Sequence, residues 1–155
     1  MSIAKILDML TGRPSQPQPR YQHDPLRLAT AAVLLDIAYA DGEFHAAEDG
    51  DVVEFLTRRF ELSPEDAAEL LGAADEIRRN MVDHFALTNY IRKNTPLDER
   101  KAIVQTMWRI VYRDGKLTSD ENYLVRKLAD LLGLEHHVMI EQKVAVLNEN
   151  GGATA

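Results

Sequence analysis

The chain contains no cysteine in 155 residues, which excludes disulfides, thiolate metal centres and thiol redox chemistry. It has no run approaching the roughly 18 to 20 uninterrupted apolar residues of a membrane-spanning helix, so no direct membrane span is expected. Met1 to Leu10 lacks the basic start and long apolar centre of a signal peptide, and the cytoplasm is the expected compartment. Positive charge is also scarce: 18 Lys and Arg stand against 25 Asp and Glu, a formal net charge of -7. The field of such a molecule repels phosphate backbones, so nucleic acid is not an expected partner. Missing too are a glycine-rich phosphate loop, a Ser/His/Asp set that can be ordered into a triad, and the Glu-x-x-His pairs of a di-iron bundle. A metal-assisted hydrolase would want a further catalytic group, and none is recognisable. The expectation is a protein that is not an enzyme.

What is present has helical spacing. No segment alternates apolar and polar residues long enough to make a strand, whereas apolar residues recur at i, i+3, i+4 and i+7 through most of the chain. The expected fold is all-α, a compact single-domain bundle of about seven helices with an internal pseudo-twofold repeat. Residues 1–23 read as a short amphipathic segment carrying Ile3, Ile6, Leu7 and Leu10, followed by a Pro-rich linker. Residues 24–149 form the helical domain and 150–155 a loose tail.

Within the domain, Asp24 is placed to cap a first helix with Pro25 in its first turn, and Leu28 to Ala40 is apolar almost all round, the pattern of a buried central helix. Glu48 opens a second helix with Val52, Phe55, Leu56 and Phe60 inward. Ser63 caps a third, with Leu70, Leu71, Ala74, Ile77 and Met81 on its stripe. Phe85, Leu87, Tyr90 and Ile91 support a short fourth helix, and Thr95-Pro-Leu-Asp98 repeats the capping logic for a fifth through Met107, Trp108 and Val111. Ser119 is placed to cap a sixth that buries Leu124, Val125, Leu128 and Leu132 and stops at Gly133. A seventh, from about Glu135, carries Val138, Ile140, Val144 and Leu147.

One motif occurs twice. Ile37-Ala-Tyr-Ala-Asp-Gly-Glu-Phe-His-Ala-Ala-Glu48 and Ile110-Val-Tyr-Arg-Asp-Gly-Lys-Leu-Thr-Ser-Asp-Glu121 share the form apolar-x-Tyr-x-Asp-Gly-x-apolar-x-x-x-Glu, offset by 73 residues. The order of elements around the two copies also corresponds, which predicts that the motif helices pack as neighbours and the two turns face one another.

Each copy matches the second half of an EF-hand calcium loop, Asp-Gly followed six residues after the glycine by Glu. The first half of that loop is absent: Ile37 and Tyr39, or Ile110 and Tyr112, stand where its first carboxylates would be. Each turn therefore offers two acidic ligands, and a six-oxygen cation would draw on both. Asp41, Glu48, Asp114 and Glu121 are the candidate metal ligands. Mg²⁺ or weakly held Ca²⁺ suits the set better than a tight cage, with Zn²⁺ or Mn²⁺ as alternatives. His45, between Glu43 and Glu48, is a further candidate that would favour Zn²⁺ or a transition metal, although the second copy has Thr118 there. The competing reading is structural: Gly ends a helix, Asp bonds turn amides, and Glu in the next helix's first turn favours the dipole. A metal-independent scaffold that recognises a partner through an acidic face is the corresponding alternative function.

The two Tyr-x-Asp-Gly turns with trailing Glu48 and Glu121, the Trp108 helix and Leu131-Leu-Gly-Leu134 resemble the TerB-like family of tellurite-resistance proteins over about Pro25 to Leu147. The resemblance implies a compact, cytoplasmic, bacterial helical protein whose acidic turn residues bind metal. It also implies a place in a stress- or metal-response system together with the membrane protein TerC and calcium-binding TerD proteins, hence a protein partner that is membrane-associated in some relatives.

Overall fold

The computed structural model describes residues 24–40, 46–80, 84–113 and 117–149, without the side chains of residues 46–49. The amphipathic segment and linker expected over 1–23 and the tail expected over 150–155 lie outside these residues. Among the described residues there are seven helices and no strand: α1 (Pro25–Ala38), α2 (Ala46–Phe60), α3 (Pro64–Asn80), α4 (Phe85–Asn94), α5 (Leu97–Val111), α6 (Ser119–Leu131) and α7 (His136–Glu149). The all-α expectation holds.

Helix α1 is the axis of the fold. Asp24 caps it, its Oδ1 accepting from the Leu26 N–H at 2.8 Å and the Arg27 N–H at 3.4 Å. Ten of its residues are buried, from Leu28 to Ala38, because it is apolar on every side rather than along one stripe. Small side chains at Ala29, Ala31, Ala32 and Ala38 let neighbours approach closely, and α1 packs against α3, α4, α2 and α5. Each large aliphatic side chain so enclosed contributes on the order of 1.5–3 kcal/mol.

The other extensive pairing sets α7 on α5, with α6 beside them. Trp108 is fully buried on α5; its ring lies 6.2 Å from that of Tyr112, and Lys143 of α7 reaches over it at 5.2 Å.

Three helix starts differ from expectation. Helix α2 begins at Ala46 rather than Glu48. The cap of α6 is Thr118 rather than Ser119, because the Thr118 hydroxyl accepts the Glu121 N–H at 3.1 Å and Ser119 is already helical. Thr95 caps nothing: its hydroxyl turns back to donate to the Ile91 carbonyl at 2.7 Å, and Pro96 occupies the cap of α5 without a side-chain bond. Packing selects among the apolar residues of α7. Met139 and Val146 are buried while Val144 is 47% exposed, and on α4 Phe85 is exposed at 59%.

Candidate functional site

The approach to the first turn is built by the end of α1. Tyr39 caps the helix, its N–H bonding to the Leu35 carbonyl at 3.0 Å, and the Ala40 N–H continues to Ile37 at 3.1 Å. The end of α5 is built alike, with the Tyr112 N–H on Trp108 at 3.0 Å and the Arg113 N–H on Ile110 at 3.2 Å. The two ends are anchored differently. The Arg78 guanidinium, held by Asp75, lies 4.2 Å from the centre of the Tyr39 ring, whereas Tyr112 leans on Trp108.

Of the candidate ligands, Asp41, Asp114 and His45 lie outside the described residues. Glu48 occupies the first turn of α2 with its backbone alone described. Glu121 is placed fully: it is 2% exposed, at the third position of α6. Its Oε1 accepts the Thr118 N–H at 3.0 Å while its own N–H donates to the Thr118 hydroxyl, a reciprocal capping box. Among the described residues no group of three or more His, Asp and Glu side chains converges as a metal site would require.

The two motif neighbourhoods are tied together by an ion pair that the spacing of the motif did not indicate. Arg113, immediately before Asp114, donates through Nε and Nη2 to the two carboxylate oxygens of Asp51, the first at 2.8 Å. Asp51 is 4% exposed and sits one helical turn after Glu48. A buried carboxylate needs such a partner, and the fork of an arginine supplies two parallel bonds. This contact sets the end of α5 against the first turns of α2. The repeat does not reproduce it, since the positions equivalent to Asp51 and Arg113 are Leu124 and Ala40.

Next to this pair lies a cleft of about 580 Å³. One wall is a stripe of α2, Asp51, Glu54, Phe55, Arg58 and Arg59; the other is a stripe of α5, Ala102, Gln105, Thr106 and Arg109, and Glu149 closes one end from α7. Its charges are paired across the helices. Arg59 donates to Glu99, which is only 8% exposed, and Arg109 holds Glu149 by a fork, Nε to Oε1 at 3.0 Å and Nη2 to Oε2 at 2.7 Å. The hydrogen bonds from Arg109 hold the Glu149 carboxyl below the usual glutamate range, against the opposing effect of partial burial. The sequence did not point to the cleft, because packing decides which side chains of α2 and α5 face one another. The available signal was the i, i+3, i+4, i+7 spacing of Asp51, Glu54, Phe55 and Arg58 on a helix whose apolar stripe lies alongside.

The family model described as tellurite resistance protein TerB matches residues 27–144, most of the helical bundle. No curated protein and no solved structure matches the chain.

Proposed function

The chain belongs to the TerB family, and from that premise we propose that it is a non-enzymatic module that binds or senses a divalent cation in a bacterial tellurite-resistance-like stress response. Asp41, Glu48, Asp114 and Glu121 would hold the ion, Mg²⁺ or Ca²⁺ ahead of Zn²⁺ or Mn²⁺, with His45 as a further donor for the softer metals. The cation would supply charge neutralisation, drawing the two turns together and firming a surface for a protein partner, free or membrane-associated, in the cytoplasm. No described helix is long and apolar enough to cross a membrane.

The observation that carries this reading is the burial of Glu121. A carboxylate 2% exposed demands donors or a cation in place of water. The Asp51–Arg113 pair adds reach, because it fixes the approach to one turn against the helix that leaves the other.

The capping box favours a second reading, in which Glu121 serves α6 alone and the protein is a metal-independent scaffold using an acidic face. Thermal melts of chelator-treated protein with each of the four ions distinguish the two. An ion at a hundred times its dissociation constant stabilises the folded state by about 2.7 kcal/mol, a readily measured shift. We expect that shift in the parent and its loss in the Glu48→Gln/Glu121→Gln double variant. Glutamine serves the third position of a capping box as glutamate does, so the loss would report charge rather than a broken cap. No shift with any ion, or a shift that survives the double substitution, overturns the cation reading.

A further inference from the structure

We infer that the cleft over α5 is the seat of the chain's own amphipathic segment, residues 1–10, docked there with Ile3, Ile6, Leu7 and Leu10 inward. The site is separate from the turn motif and needs no cation.

Helices α2 and α7 both pack on α5 and not extensively on one another. Between them the α5 residues Ala102, Gln105, Thr106 and Arg109 remain as the floor of the cleft of about 580 Å³. A groove of this kind is where an amphipathic helix beds its apolar face. Charge selects a neutral occupant. Arg109 is spent on Glu149, Arg59 on Glu99 and Asp51 on Arg113, and Arg58 lies 3.7 Å from Glu54. The Thr106 hydroxyl donates to the Ala102 carbonyl at 2.9 Å, and Gln105 meets Gln142 of α7 at 3.4 Å. The lining therefore calls for neither an anion nor a cation. What it leaves to be covered is apolar: Phe55, Ala102 and the aliphatic stems of its arginines. Residues 1–10 match that demand, with Lys5 balanced by Asp8 and four aliphatic side chains on one helical stripe.

The chain also brings the segment to the right place. Arg27, in the first turn of α1, lays its guanidinium over the Phe60 ring at 5.4 Å, and Arg59 of the cleft lies over the same ring at 5.9 Å. The polypeptide thus enters α1 one aromatic ring away from the end of the groove. The thirteen residues 11–23, rich in proline, reach up to about 40 Å, against about 22 Å for the whole length of α2. Such a tether gives an effective concentration on the order of millimolar, enough for a small apolar contact to hold. While seated, the segment withholds both its own stripe and the groove floor from other proteins.

Paramagnetic relaxation in the full chain is the test. The sequence has no cysteine, so Ala4→Cys, off the apolar stripe, takes a single nitroxide label. We expect the amide signals of Phe55, Arg58, Ala102 and Thr106 to lose intensity, and that of Gly72 on α3, outside the groove, to keep it. Adding Leu7→Asp and Leu10→Asp should restore the groove signals with the bundle intact, since neither residue belongs to α1–α7. Ala102→Glu, which sets a charge on the floor, should restore them too; where that variant unfolds, the segment variant still decides. No loss, loss centred away from the groove, or loss that survives the two Asp substitutions overturns the proposal. Equal loss in a mixture of nitroxide-labelled and isotope-labelled copies gives the groove to a second copy and overturns the intramolecular seat. Capture of the chain by phosphatidylglycerol vesicles with the groove signals undiminished gives the segment to a lipid surface and overturns it as well.

Discussion

A Cβ at Gly133 would lie 2.9 Å from Arg100 Nη1 and 3.0 Å from Arg92 Cδ, on a backbone with φ of +83°. Both the left-handed conformation and the approach of two arginines require glycine there, and the Leu134 and Gly133 N–H groups complete the stop by bonding to Ala129 at 3.0 Å and Asp130 at 2.9 Å. Gly133→Ala should therefore cost about 1–2 kcal/mol or more in urea unfolding. Gly72, inside α3 with nothing within 4 Å of the place a methyl group would take, is the opposite case. Gly72→Ala should stabilise the protein by about 0.5–1 kcal/mol in the same assay. Single residues of this kind were readable in advance: Asp24, Ser63 and Gly133 act as their types imply, the Ser63 hydroxyl taking the Asp66 N–H at 3.1 Å. Where two hydroxyl residues adjoin, type alone does not choose between them. The decisive signal was Glu121, three residues after Thr118 and two after Ser119, because a capping box closes only at a spacing of three.

Helices were legible in proportion to how sharply their apolar residues mark one side. Helix α1, apolar all round, announces its central place, and α6 buries Val125 and Leu128 as its stripe implies. The inward face of α7 was not legible because Val138, Met139, Ile140, Val144, Val146 and Leu147 surround it without defining a face. Packing on α5 makes the choice, burying the pair seven residues apart, Met139 and Val146. Truncating Val146, 0% exposed, to Ala should cost about 1–3 kcal/mol, while the same change at Val144, 47% exposed, should stay within about 0.5 kcal/mol. Chemical denaturation of the two variants checks the orientation of the helix. The motif's own helices share an offset of 73 at their ends, Ala38 with Val111 and Ala46 with Ser119, yet α1 is enclosed while α5 presents Gln105 and Arg109 to the cleft.

For the molecule as a whole, the cross-helix charges were the least legible feature. Asp51 and Arg113, Arg59 and Glu99, and Arg109 and Glu149 are 62, 40 and 40 residues apart, and only the packing of α2, α5 and α7 decides which acid meets which base. They also shape stability against pH. The Arg109 hydrogen bonds lower the Glu149 pKa in the folded state, so its contribution is present above the unfolded pKa and is lost as pH falls through the folded one. Because the pair is partly exposed, that contribution is under about 1 kcal/mol. The stability difference between parent and Glu149→Gln, measured by urea unfolding, should be present at neutral pH and shrink below about pH 4. Tyr90 acts at the other extreme: burial, reinforced by Asp24, raises its pKa, so its contribution is held at neutral pH and lost as strongly alkaline pH ionises it. The central position of α1 has a further consequence in time. Its ten buried residues find their cover on helices that extend to Val111, so on the ribosome α1 emerges well before α5, about 4–15 s at usual elongation rates. For that interval α1, the most apolar of the described helices, has only the covers that have emerged so far, α2, α3 and α4 in turn, and its face toward α5 stays open to nascent-chain factors that shield such surfaces.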